Sequence, residues 1–227
     1  MPITKHEIEA FALDHQGKKV AEFISATKVY PVYQIPYKGQ DICLAQAPVG
    51  SAPAAQFMDW LIGYGVKEMI STGTCGVLVP IAENRFLVPV KALRDEGTSY
   101  HYVAPSCYID IDPKMLRPIE KTLSAQGLAY QEVITWSTDG FYRETKEKVA
   151  YRQEEGCSVV EMECSALAAV AQLRGILWGQ LLFTADTLAD VEVYDQRNRG
   201  ADSFSFALHL CLEVFNTLEK DGKATDF

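Results

Sequence analysis

Four short stretches of this chain gather residue types able to bind and break a polar ring compound. The stretch SVVEMECSALAAVAQLRG (158–175) sets Glu161 and Glu163 around Met162, where a short apolar run gives way to an alanine-rich helix. In an extended chain, residues two apart point to the same side, so both carboxylates are expected to face one ligand. The other stretches are Gly73-Thr74-Cys75-Gly76 after EMIST, Thr138-Asp139-Gly140-Phe141 after QEVITWS, and Thr184-Ala185-Asp186 after ILWGQLLF. Carboxylates accept hydrogen bonds from vicinal hydroxyls, and a methionine offers a soft apolar floor. Phe141 can stack on a flat ring, and a glycine turn with the Thr74 hydroxyl presents donors to an anion. A desolvated Asp186 can hold a proton for a leaving group. As a set, these residues suit a sugar attached to a flat heterocycle.

Taken singly, each has a plainer reading. Glu161 and Glu163 suit the positive start of a helix. Asp186 suits a cap, GTCG a tight bend, and Met162 and Phe141 a core. His101, in TSYHY, reads as a satisfied structural histidine, because no nucleophile accompanies it.

The elements that must position these groups follow from the rest of the chain. Its 227 residues, 48% hydrophobic and 22% charged, supply one large core and one domain spanning 1–227, with no repeat or linker. A net charge of −9 without a basic cluster argues against nucleic-acid polymers and anionic membranes, leaving small molecules or protein surfaces. No apolar run approaches the roughly 20 residues needed to span a bilayer, and MPITKHEIEA lacks the apolar core of a signal peptide, so the cytoplasm is expected. Six scattered cysteines and four isolated histidines suggest mostly buried thiols rather than disulfides or a metal site.

A helix ending at Gly17 opens the chain, followed by two antiparallel strands joined at Lys38 and Gly39. The tyrosines there, Tyr30, Tyr33 and Tyr37, suit either an interface or the outer layer of the core. Ser51 caps a helix that Gly65 ends, and EMIST is a strand stopped by GTCG. Strands FLVPVKAL, QEVITWS, CSVV and ILWGQLLF then alternate with helices, the first of them capped by Asp112. Such alternation implies an α/β fold, a three-layer αβα sandwich around a mixed, largely parallel central sheet. Ligands in such folds sit beyond the carboxyl ends of the strands, where the four polar stretches fall.

The segments GTCGVL, RDEGTSYHYVAP, STDGFYRE, VVEMECSALAAVA and FTADTLAD, in this order, resemble the nucleoside phosphorylase superfamily, which includes uridine phosphorylase, hexameric purine nucleoside phosphorylase and methylthioadenosine nucleosidases. The resemblance runs from about residue 20 to near the end. It implies a pentosyltransferase that cleaves an N-glycosidic bond, with inorganic phosphate as co-substrate and no other cofactor or metal. Glu163 would bind ribose hydroxyls, with Met162 and Glu161 beside the sugar; Gly73, Thr74 and Lys28 would hold phosphate. Phe141 and Asp186 would meet the base, Asp186 protonating it as it departs, so that Glu163 and Asp186 are the catalytic pair.

The resemblance also implies a homodimer or ring of dimers, with Lys28 standing about where relatives offer an arginine from a neighbouring subunit. Two family features are missing: a first strand ending in a Gly-Asp-Pro-x-Arg loop before Lys18, and a phosphate-binding arginine whose place is taken by Ser71. Arg94 or Arg143 are candidates to compensate. Thr145 and Glu147 replace the pair that reads a pyrimidine, which favours a purine over uridine. Hydrolysis of the same bond and nucleoside binding without turnover stay open beside phosphorolysis.

Overall fold

A computed structural model describes residues 3–190 and 192–224. The chain opens with helix α1 (Lys5–Asp14), whose start is closed reciprocally. Thr4 Oγ1 accepts from Glu7 N at 3.3 Å and Glu7 Oε2 accepts from Thr4 N at 2.6 Å. Strands β1 (Lys18–Ile24), β2 (Val29–Tyr37) and β3 (Gln40–Ala45) follow as an antiparallel sheet. The expected hairpin is β2–β3, turning at Lys38 and Gly39. β1 is a third strand that the sequence pattern did not reveal. Tyr33 and Tyr37 pack on the core and donate to Glu9 (2.9 Å) and Glu213 (2.6 Å), as an outer layer of the core does, while Tyr30 packs on Phe23 and Phe57 beneath Lys28.

Helix α2 (Ser51–Gly63) leads into β4 (Glu68–Val77), which continues through Gly73-Thr74-Cys75-Gly76 with a shift in its register against β9 between Cys75 and Val77. The expected turn there is therefore a strand. Gly76 stands at that register shift, where a Cβ would lie 3.1 Å from a Val160 methyl and 3.2 Å from a Leu188 methyl, a tight fit that glycine relieves.

Next come β5 (Phe86–Asp95), β6 (Tyr108–Asp110), α3 (Pro113–Ala125), β7 (Tyr130–Thr138), α4 (Lys146–Glu154) and β8 (Cys157–Glu161). The chain closes with α5 (Cys164–Arg174), β9 (Leu177–Thr187) and α6 (Phe204–Ala224). Asp112 caps α3 as its sequence predicts, accepting from Lys114 N at 2.8 Å, with Pro113 at the first helical position. α3 buries Met115, Ile119 and Leu123 and lies so close to β9 that a Cβ on Gly179 would come within 2.7 Å of Met115.

The six strands β6-β5-β7-β8-β4-β9 form the expected mixed sheet with flanking helices. β5–β7, β7–β8 and β4–β9 are parallel. The sheet also curls, since β5 pairs antiparallel with β9 at Phe86↔Phe183 and Leu87↔Leu182. Inside the curl Cys75, Val77, Leu87, Val133, Val159 and Leu182 form a core of their own, and the helices cover a larger one outside.

Because β4 meets β8 antiparallel (Gly76↔Val160, Val77↔Val159), β4 and β9 run against β5, β7 and β8. The four polar stretches therefore do not lie at one common carboxyl edge. They meet because the last residues of β4 overlap the last residues of β8. No described helix is long and apolar enough to cross a membrane.

Candidate functional site

The chain leaves β8 at Glu161 and enters α5 at Cys164, so Glu161 and Glu163 are separated by a turn and do not share a face. Their environments divide them further. Glu161 Oε1 accepts from Ser137 Oγ (2.5 Å) and Thr135 Oγ1 (3.3 Å), and Oε2 accepts the backbone N–H groups of Glu163 and Cys164, both at 2.7 Å. This is the plain role of a carboxylate at a helix start. Although Glu161 borders the cavity described below, both oxygens are taken by the protein, which leaves it little to offer a sugar. Burial raises its pKa, opposed by those four hydrogen bonds.

Glu163 is held from the other side. Gly50 donates its N–H to Glu163 Oε1, and Ser51 Oγ donates to the Met162 carbonyl at 2.6 Å. Gly50, rather than Ser51, is thus the cap of α2, and its φ of 96° is a backbone conformation open to glycine and strained for other residues. The start of α2 clasps the Met162–Glu163 turn, adding the favourable end of a helix dipole. Burial, reinforced by the charge of Glu161, nevertheless pushes the Glu163 carboxyl up to about 7.

Glu163 opens onto a cavity of about 800 Å³ that Met162, Gly73, Thr74, Phe141 and Asp186 also line. Asp186 lies over Gly76, whose added Cβ would stand 3.5 Å from Asp186 Oδ1, and Tyr194 lines the cavity beside it. Phe141 and Tyr142 meet edge to face at 5.1 Å and are 50% and 93% exposed, so they form a rim rather than core. Glu144 and Arg199 complete this end of the cavity. Glu144 closes the matched segment STDGFYRE, which gave it no role, and no sequence signal pointed to Arg199 or Gly50, which enter through the packing of loops from different parts of the chain.

The opposite end lies between two sheet edges. Every residue of β4 from Met69 to Gly76 borders the cavity, and so does the run Ile42–Val49 across it. Consecutive residues of a strand alternate between faces, so a cavity touching all of them lies against the strand's edge. That edge of β4 pairs with no described strand between Glu68 and Cys75. Ser71 Oγ and the neighbouring Gln180 Oε1 are buried there without hydrogen-bond partners.

Three candidate cations stand elsewhere. Lys28 is exposed at the β1–β2 turn, donates to Gln46 Oε1 at 2.8 Å, lies over the Tyr30 ring and does not line the cavity of its own chain. Arg94 is buried and bound to Ser99, Ala104 and Ser106 (2.8–2.9 Å), with its guanidinium over Tyr100, so it cannot compensate for a missing phosphate ligand. Arg143 is exposed and off the cavity. Among the described residues, Arg199 is the one lysine or arginine lining it.

His101 is exposed on a turn rather than satisfied in the interior. Cys75, Cys157, Cys164 and Cys211 are buried thiols, while Cys43 and Cys107 are exposed. Among the described residues, no three His, Cys, Asp or Glu side chains are grouped so as to hold a metal ion.

A sequence model of the phosphorylase superfamily matches residues 2–212. Guanosine phosphorylase of Halorubrum lacusprofundi is 24% identical over 184 residues, 81% of this chain and 74% of that one. A purine nucleoside phosphorylase of Caldanaerobacter subterraneus is 26% identical over 188 residues, 78% of each chain. Among solved structures, AMP nucleosidase from Bacteroides thetaiotaomicron superposes with a TM-score of 0.79 at 22% identity, covering 97% of this chain and 87% of the other. Uridine phosphorylase from Vibrio fischeri also superposes at 0.79, with 23% identity and coverages of 93% and 87%. At these identities the structural likenesses speak for the fold alone.

Proposed function

Because the chain belongs to the phosphorylase superfamily, we propose that it cleaves the N-glycosidic bond of a purine nucleoside, with inorganic phosphate as the acceptor. The observation that carries this reading is one cavity bounded by Glu163 and Met162 in its middle and by Asp186 and Phe141 at its rim. Glu163 holds the vicinal ribose hydroxyls and Met162 lies against the sugar. Phe141 covers the base, and Asp186 passes a proton to the departing ring. The sugar gains positive charge as the bond lengthens, and the ionised form of Glu163, a partly buried carboxylate, stabilises that charge. Burial and the charge of Glu161 push the Glu163 carboxyl up to about 7. Sugar hydroxyls and a nascent cation both favour its charged form, so the interaction strengthens towards the transition state.

Phosphate is assigned to Gly73 and Thr74, with Lys28 contributed by a second copy in a homodimer or ring of dimers. The exposure of Lys28, which does not line its own cavity although it donates to Gln46 of the cavity wall, supports this assignment. A second reading, in which water is the acceptor, is favoured by one observation: Ser71 brings no charge to the β4 end, and Arg199 lies at the base end instead. Chromatography of purine nucleosides incubated with the protein, with and without phosphate, tests both. Free base with ribose 1-phosphate, formed only when phosphate is present, supports the first reading. Free base with ribose regardless of phosphate supports the second, and no free base from any purine nucleoside overturns both.

A further inference from the structure

Glu144 is a carboxylate at the base end of the cavity to which the reaction above gives no role. It follows the turn Phe141–Arg143 and precedes Thr145, the cap of α4. It borders the main cavity together with Phe141, Asp186 and Tyr194, and shares with Tyr194 a smaller recess of about 120 Å³. Its side chain is partly buried, and its carboxylate accepts no hydrogen bond among the described residues. The charged and titratable groups facing it are Asp186 from β9, Lys148 and Lys146 from α4, and Asp190, Tyr194 and Arg199 from the segment after β9. Two of these are engaged elsewhere: Lys148 donates to Asp95 at 2.9 Å, and Lys146 pairs with Glu192. The charge of Asp186 acts on Tyr194 as well. Glu144 is left as an unpartnered acceptor beside the proposed proton donor.

A purine presents N7 and its 6-substituent side by side on one edge. That substituent is a donor when it is an amino group and an acceptor when it is an oxo group. Two adjacent carboxyls fit this edge, one at N7 and the other at position 6. Resting on the reading of Asp186 as the proton donor to the departing ring, which here would meet N7, we propose that Glu144 reads the 6-substituent of the purine. Its carboxylate accepts from a 6-amino group, and its protonated form donates to a 6-oxo group. Burial first, and the charge of Asp186 second, push this carboxyl up to about 7, against the pull of Lys148. Both forms are then populated near neutrality, and the preferred substrate changes with pH.

The experiment measures kcat/KM for adenosine and for inosine between pH 6 and pH 8 and takes their ratio at each pH. Titration of Glu163, or of any group acting on both substrates alike, cancels in that ratio. For a carboxyl at about 7, the ratio of charged to neutral Glu144 changes about 100-fold over this range. The adenosine preference is expected to rise with pH by about 10-fold to 100-fold.

In Glu144→Gln the amide both accepts and donates, so the pH dependence of the ratio is expected to flatten while both nucleosides remain substrates. A wild-type ratio independent of pH, or a Glu144→Gln ratio that keeps the wild-type slope, overturns the assignment. Calorimetric titration with adenine and hypoxanthine at pH 6 and pH 8 reads the same preference without turnover. Base preference in binding without any turnover would keep Glu144's role and reject the proposed reaction. Turnover with neither pH-dependent ratio nor pH-dependent binding would keep the reaction and reject Glu144.

Discussion

Replacing Glu163 by Gln should make the protein less active and, in alkaline solution, more stable. The carboxyl stands at about 7 in the folded chain against an ordinary 4.5, so the native state holds this proton more tightly than the unfolded chain does. For such a group, stability falls as pH rises from about 4.5 to about 7, and the whole penalty is present above that window. At about 1.4 kcal/mol per pH unit the ceiling is about 3 kcal/mol. Partial access of solvent to the side chain lowers the expected gain to about 1–2 kcal/mol.

The substituted amide is uncharged and still offers a carbonyl to the Gly50 N–H, so the variant escapes the penalty without losing the clasp. At roughly 2–4 °C per kcal/mol for a chain of this size, its Tm at pH 8 should exceed wild type by several degrees, with no difference near pH 4.5. Activity moves the other way. Two hydrogen bonds from ribose hydroxyls to a charged acceptor contribute about 1.5–3 kcal/mol each. Weakening both lowers kcat/KM by about 10²–10⁴-fold. Thermal melts at pH 4.5 and pH 8, with base-release kinetics on the same preparations, check both halves. Turnover within about threefold of wild type, or a Tm at pH 8 below wild type, would refute the reasoning.

Asp186→Asn removes the proposed proton donor and should lower kcat for purine release by about 10²–10⁴-fold, while KM moves little; steady-state kinetics checks this. Gly50→Ala forces alanine to φ 96° and turns the N–H away from Glu163. It should cost about 1–2 kcal/mol in denaturant titration and weaken nucleoside binding in the same variant. Gly179→Ala places a Cβ 2.7 Å from Met115, far from the cavity rim. It should cost about 1–3 kcal/mol by overpacking, read from the same titration, and leave base preference intact.

Much of the fold was legible because its elements carry local signals. The Asp112-Pro113 start and the apolar spacing of α3, and the continuous apolar run of β9, follow rules that tertiary context did not override here. β1 escaped notice because KKVAEFI is an outer strand with most of its side chains exposed, so its alternation of apolar and polar residues is weak. GTCG misled for a different reason. Glycines in a strand can mark a shift in register or a close approach, and Gly76 stands at such a shift, in a tight fit against Val160 and Leu188.

The site was legible only as a set of segments. Residues Glu163, Met162, Asp186, Phe141, Gly73 and Thr74 do border one cavity, but the pairing of Glu161 with Glu163 assumed an extended chain where the structure turns. Lys28 does not line the cavity of its own chain, and no reading of one chain can assign it a place in another. Glu144 and Gly50 depend on how α2 and the segment before α4 dock, which no local pattern encodes.

The most direct test of the proposed site is a crystal structure of the Asp186→Asn protein soaked with adenosine, a variant in which slow turnover preserves the bound nucleoside. Both ribose hydroxyls should lie within about 3 Å of the Glu163 carboxylate, with the sugar against Met162 and purine N7 beside position 186. A nucleoside bound with its sugar away from Glu163, or a cavity that stays free of nucleoside at saturating concentration, would contradict this assignment.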